Sequence, residues 1–125
     1  MVEHRWGQRI NTAIDVLLFR GHRYAAQGKI FNVGFYGVFV ATDNIFPINT
    51  YLEVRFTFAG DSYSHDYRIP GIVVHTANNG IGLLVDTTEP AARLGLKAIL
   101  DKATAREGES LINESQIISN VGARI

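Results

Sequence analysis

Residues 53–58 read Glu53-Val54-Arg55-Phe56-Thr57-Phe58. Polar and apolar residues alternate at period two, the spacing of a strand with one buried face. Val54, Phe56 and Phe58 face one side, and Glu53, Arg55 and Thr57 the other. Ala59-Gly60-Asp61-Ser62 follows as a turn. The same reading extends upstream. Ile10 to Phe19 and Tyr24 to Phe31 are strands joined through Arg20-Gly21-His22-Arg23, with a bulge expected at Gly28. Gly37 to Thr42 is a third strand, and Asp43 to Asn49, with Pro47, is a loop. Downstream, Tyr63 to Arg68 and Ile72 to Thr76 are strands on either side of Pro70-Gly71, a dipeptide that marks an edge or a bulge. Asn78-Asn79-Gly80 signals a hairpin, because Asn and Gly tolerate positive φ, and Ile81 to Val85 returns as the last strand.

The period then changes. Thr88-Glu89-Pro90 combines a capping hydroxyl, an acid and a first-turn proline, which starts a helix. Ala92, Leu96, Ile99 and Ala103 fall on one helical face. Gly95 lies inside this helix and costs about 1 kcal/mol relative to Ala, a cost that close approach to the sheet would explain. Several consecutive antiparallel strands and one helix, with short hairpin connections and no β-α alternation, argue against a parallel doubly wound fold. Closing the sheet into a small barrel removes its edges, with the helix over one mouth. The expected organisation is an N-terminal arm over 1–9, a barrel with its helix over 10–104, and a polar tail over 105–125. The tail is read as a short second helix or a disordered segment.

The chain has 125 residues, enough for one domain with a real core, and no cysteine, which removes disulfides, thiolate metal sites and a Cys nucleophile. No stretch approaches the roughly 18 to 20 apolar residues of a membrane span, and the first residues do not read as a signal peptide. The formal net charge is zero, which argues against binding long nucleic acid. Up to Lys29, however, Arg5, Arg9, Arg20, Arg23 and Lys29 face only Glu3 and Asp15. A basic first quarter on a neutral chain suits a small anionic ligand.

Two short patterns carry chemistry. Arg5-Trp6-Gly7-Gln8-Arg9 sets two arginines four apart in a segment without strand alternation. An arginine fork pairs bidentately with phosphate or with the O6/N7 edge of guanine, and stacks on a purine. Asn32-Val33-Gly34-Phe35-Tyr36-Gly37 places two glycines in a strand-like run directly after a carboxamide. Glycines here allow a tight reversal, and Asn offers a donor and an acceptor at its rim.

In this order and spacing, R-x-x-x-R followed by N-x-G-x-x-G resembles the PilZ domain family. Gly71-Ile72-Val73-Val74-His75 and Gly80-Ile81-Gly82-Leu83-Leu84-Val85 look like the late strands of such domains. The resemblance covers Arg5 to Ala103. It implies a six-stranded antiparallel β-barrel with a C-terminal helix, in a bacterial, cytoplasmic protein that binds cyclic di-GMP. By position, Arg5 and Arg9 take phosphates and guanine edges, Asn32 contacts a guanine, and Gly37 keeps the backbone close. Gly34 stands where the family has a serine, so one hydroxyl is missing. His4 stands where many members have a further arginine, a weaker cation at pH 7.

His4, Trp6 and His75 are secondary candidates. Trp6 either stacks on a ligand base or packs the arm onto the barrel. His75 either faces the ligand from a neighbouring strand or is a solvent-facing strand residue. His65-Asp66 is not a catalytic pair, because neighbours on one strand point to opposite faces. Asp61, Asp66 and Asp86 lack metal-loop spacing, and no cofactor is expected. The expected function is a sensor that changes conformation on binding cyclic di-GMP and acts on a partner protein in trans; oligomerisation stays open. The alternative is a degenerate PilZ-fold adaptor that binds no nucleotide. An enzyme is not expected, since no nucleophile-base-orienter set is visible.

Overall fold

The computed structural model describes residues 10–34, 36–60 and 62–115, with side chains to residue 103. Six strands form in order: β1 (Ile10–Arg20), β2 (Arg23–Val33), β3 (Gly37–Ala41), β4 (Tyr51–Ala59), β5 (Ser64–Ala77) and β6 (Gly80–Val85). One helix follows, α1 (Pro90–Ser115). Every pairing is antiparallel, and the sheet closes in the order β1-β2-β3-β6-β5-β4. The alternation of residues 53–58 decides the face as expected. Val54 and Phe56 are buried, Phe58 packs on the core, and Glu53, Arg55 and Thr57 face outward. The interior also holds Leu18, Ile30, Val33, Val38, Val40, Ile69 and Val73, all at 0% exposure.

Both ends of this interior are filled. At one end Phe46, from the loop between β3 and β4, joins the core cluster. At the other, where β6 leads into α1, the helix packs mainly along β5. Ala92, Leu96, Ile99 and Ala103 are its buried face, as their spacing requires. Full burial of a side chain such as Ile99 contributes about 1.5–3 kcal/mol. Lys102 adds an ammonium 4.8 Å from the centre of the Phe58 ring.

Several local features differ from the sequence reading. Tyr63–Arg68 and Ile72–Thr76 are parts of one 14-residue strand, β5, which runs through Pro70. The N and O of a strand residue point the same way. The Pro70 carbonyl accepts from Asp86 N–H at 3.0 Å, on the side where β6 has already ended at Val85. The missing N–H therefore costs no ladder bond, and Pro70 sits at a local edge. No register shift falls at Gly28; the shifts in β2 lie elsewhere. Asn78 and Asn79 do form a two-residue hairpin between Ala77 and Gly80, but positive φ among the described residues is confined to Gly21 and Asn49.

The helix start is also built differently. Thr88 is not the cap. Its hydroxyl and its N–H both donate to Asp86 Oδ1, at 2.6 and 3.1 Å, while the Glu89 carbonyl accepts the first helical bonds. Pro90 takes the first helical position, where no N–H is needed. The helix passes residue 104 and continues to Ser115, so 105–115 belong to α1 rather than to a separate tail. Residues 116–125 lie outside the described residues. No described helix is long and apolar enough to cross a membrane.

Gly95 meets Ile69. A Cβ on Gly95 would lie 2.5 Å from Ile69 Cγ1 and 3.0 Å from its Cδ1. The helix approaches β5 through the absent side chain. Gly95→Ala gains helix propensity of about 1 kcal/mol and adds overpacking of about 1–3 kcal/mol. The expected net result is a lower urea midpoint with an unchanged m-value. A raised midpoint would show that the helix does not rest on Ile69.

Candidate functional site

A strict period of two sends Ile30 and Asn32 to the same face. Ile30 is wholly buried, so Asn32 would point into the core. It does not. A bulge between Ile30 and Asn32 leaves Phe31 as an extra residue against β3, and Asn32 pairs with Phe39 on the outer face. Strand β5 repeats the device. Val73 is wholly buried, and a bulge leaves Val74 as the extra residue, so His75 pairs with Gly82 on the outer face. Each bulge turns a polar side chain from the interior to the surface.

The two bulged strands flank the β3–β6 pair. Cross-strand partners share a face, and the pairings chain into a row. Asn11 lies opposite Asn32, Asn32 opposite Phe39, Phe39 opposite Gly82, and Gly82 opposite His75. A parallel row on the same face runs from Gly37 to Leu84 to Ile72 to Tyr51. Between these rows lies a groove of about 470 Å³. Asn32 and Phe39 border it on one side and Val74 and His75 on the other, with Tyr36 and Leu84 at one end. Asn32, Gly37 and His75, three of the candidates from the sequence, therefore share one groove.

The turn beside it is held from two directions. Gly34 N–H donates to the Gly37 carbonyl at 2.8 Å and closes the β2–β3 hairpin. The Tyr36 carbonyl accepts from Val85 N–H at 2.8 Å, which ties the turn to the end of β6. Gly37 does not have positive φ. Its lack of a side chain is required by packing instead: a Cβ would lie 2.7 Å from the Leu83 carbonyl oxygen. Arg5, Arg9, His4 and Trp6 lie outside the described residues. The segment that carries them joins β1 at Ile10, which pairs with Val33, one position from the Asn11–Asn32 pair.

A larger hollow of about 1050 Å³ borders β1, β2, β4, β5 and the start of α1. Sequence reasoning gave it no role. Its charges already answer one another. Glu53 takes Arg55 Nε on Oε1 at 2.7 Å and Arg68 Nη1 on Oε2 at 3.2 Å. The Arg55 guanidinium lies 3.8 Å from the centre of the Phe19 ring. Thr57 donates to Asp66 at 2.8 Å, and Lys29 sits 3.3 Å from Asp15. His65 packs edge-on against Tyr63 with ring centres 4.7 Å apart, away from Asp66's hydroxyl partner. Among the described residues no three His, Cys, Asp or Glu side chains cluster as metal ligands would.

Phe39, Val74, Gly82 and Leu84 are groove residues that sequence reasoning missed. Their alternation was visible, but the register that brings them together was not. If Gly37 is glycine for the sake of β6, Gly37→Ala should destabilise the barrel without any ligand present, by about 1–3 kcal/mol. Thermal melting of the ligand-free protein checks this, and an unchanged Tm would assign the glycine to another cause. No protein-family model matches this sequence, and no curated protein is significantly similar to it.

Proposed function

We propose that this chain is a PilZ-type domain that binds cyclic di-GMP and passes the signal to a partner protein in trans. One observation carries the reading. Asn32, the carboxamide of the N-x-G-x-x-G pattern, is turned by a bulge onto an outer groove beside the strand end where the R-x-x-x-R segment joins. A bulge has a local cost and is found where a side chain must be re-aimed. The six-stranded closed barrel with a C-terminal helix agrees with the architecture that the resemblance implies.

In this reading Arg5 and Arg9 close over the ligand from the N-terminal side, and Asn32 reads a guanine edge. Each arginine offers five N–H donors, enough for a phosphate and a base edge together. The mechanism is non-enzymatic and the output is conformational. Binding selects the closed arrangement of the arm and so creates a new surface. The Tyr36–Val85 hydrogen bond connects the turn beside the ligand to the strand that leads into α1. Gly34 supplies no hydroxyl. One missing hydrogen bond is worth about 0.5–1.5 kcal/mol, so affinity is weakened by up to roughly tenfold rather than lost.

A second reading, a nucleotide-independent adaptor, draws on a different part of the surface. Ile45 is 90% exposed, and Ile48 and Tyr51 are also exposed, although the loop that carries Ile45 and Ile48 is pinned by Phe46. Apolar groups held out on an anchored loop favour protein contact.

Calorimetric titration with cyclic di-GMP separates the two. The sensor reading predicts saturable heat with one class of site, and a loss of affinity of at least tenfold in Arg9→Ala. No heat, together with no change in Tm at millimolar ligand, would leave the adaptor reading standing. Equal affinity in Arg9→Ala would remove the arm from the site.

A further inference from the structure

The tip of the β1–β2 hairpin is basic without a folding reason. Arg20 and Arg23 lie directly opposite each other in the register, with Gly21, at φ 65°, and His22 between them. Like charges at opposed positions destabilise a strand pair. Both arginines are exposed, and among the described residues neither makes an ion pair. No described carboxylate offsets their repulsion.

A second feature shares this end of the barrel. Phe19 pairs with Glu53, so the register brings the hairpin tip level with Tyr51 and with the loop that enters it. On that loop Ile45 is 90% exposed, and Ile48 and Tyr51 are exposed beside it. The loop is fixed in place. Phe46 is buried, Thr42 Oγ1 donates to the Gln27 carbonyl at 2.8 Å, and Asn49 N–H donates to the Val73 carbonyl at 2.7 Å. Tyr24, also exposed, is held edge-on against Phe19 with ring centres 6.0 Å apart. The loop carries one carboxylate, Asp43, and Glu53 beside the tip is already held by Arg55 and Arg68.

An apolar side chain that protrudes as Ile45 does needs a fitted hollow in a protein partner. A lipid layer is fluid and accepts it without one. Anionic headgroups supply the charge that the arginines lack, the acyl boundary takes isoleucine, and tyrosine suits the level between. We propose that this end of the barrel is a peripheral docking surface for an anionic lipid membrane, with Arg20 and Arg23 on the headgroups and Ile45 and Tyr51 entering the interface. Binding of this kind follows buried apolar area plus attraction to anionic lipid, and both terms are present. Two arginines and one isoleucine make the contact reversible. The proposal gives to lipid the loop that the adaptor reading gives to a protein, and it does not depend on cyclic di-GMP. Strand β2 is 11 residues long, so the Asn32–Gly37 turn lies about 30 Å from the tip and stays clear of a membrane on which the tip rests.

The test is sedimentation of the whole chain with vesicles of phosphatidylglycerol mixed into phosphatidylcholine, and with phosphatidylcholine alone. The protein should pellet with the anionic vesicles at low salt, and binding should weaken as salt rises. Arg23→Gln should lower the partition coefficient roughly fivefold and leave Tm unchanged or higher, since it removes one of two facing charges. Ile45→Ser should lower it about tenfold. Lys97→Gln removes the same charge from the exposed side of α1 and should bind as the parent does. No pelleting with anionic vesicles at low salt overturns the proposal and returns the loop to the adaptor reading. Equal losses in Arg23→Gln and Lys97→Gln, or undiminished binding by Ile45→Ser, would mean general charge attraction and overturn the surface as well.

Discussion

The barrel closes through three residue pairs. Leu17, Leu18 and Phe19 of β1 meet Arg55, Val54 and Glu53 of β4. Without them β1 and β4 would be open edges with unpaired backbone groups, and the interior would be exposed along one seam. The pairs are reinforced on both faces. Inside, Leu18 and Val54 are fully buried side by side. Outside, the Arg55 guanidinium lies on the Phe19 ring and is held by Glu53, which also takes Arg68 of β5. The ion pairs are half-exposed and contribute little by themselves. They position Arg55 as a clasp over the seam, beside the larger hollow.

Closure leaves an odd requirement for any site on the outer surface. Six strands bury almost every inward side chain, and a polar group at an inward position would be costly. Asn32 and His75 both occupy positions that strict alternation would send inward. Phe31 and Val74, one inserted residue in each strand, turn them outward. The hydrophobic interior is unbroken, because Val33 and Val73 stay inside. Two bulges thus reconcile a sealed core with a groove that carries one polar side chain on each rim. The groove sits beside the turn that is bonded to Val85, close to where the chain enters α1.

Much of the architecture was legible in the residues. The alternation of Glu53–Phe58, the 88–90 helix start and the buried face from Ala92 to Ala103 identified the elements. What could not be read was register. Pro70 looked like a break in a strand, because sequence does not show that its N faces a strand that has already ended. The helix was cut short at Ala103, because its apolar face thins out beyond it. For the site, the motif pointed to Asn32 and Gly37, with His75 a secondary candidate from another strand, and all three line one groove. Gly37 was read as making room for a ligand, yet the carbonyl of Leu83 already requires it. Gly82 and Phe39 gave no signal because only the β3–β6 register brings them to the groove, and Val74 gave none because a bulge is one residue in a continuous β-rich run.

The central claim is that the bulges at Phe31 and Val74 exist to build one ligand-binding groove. A crystal structure of the chain with cyclic di-GMP tests it most directly. The account predicts ligand density on the outer face of β3 and β6, in contact with Asn32 and His75, with both bulges in place. Ligand found in the hollow beside Arg55, or a crystal grown at saturating ligand with an empty groove, would contradict it.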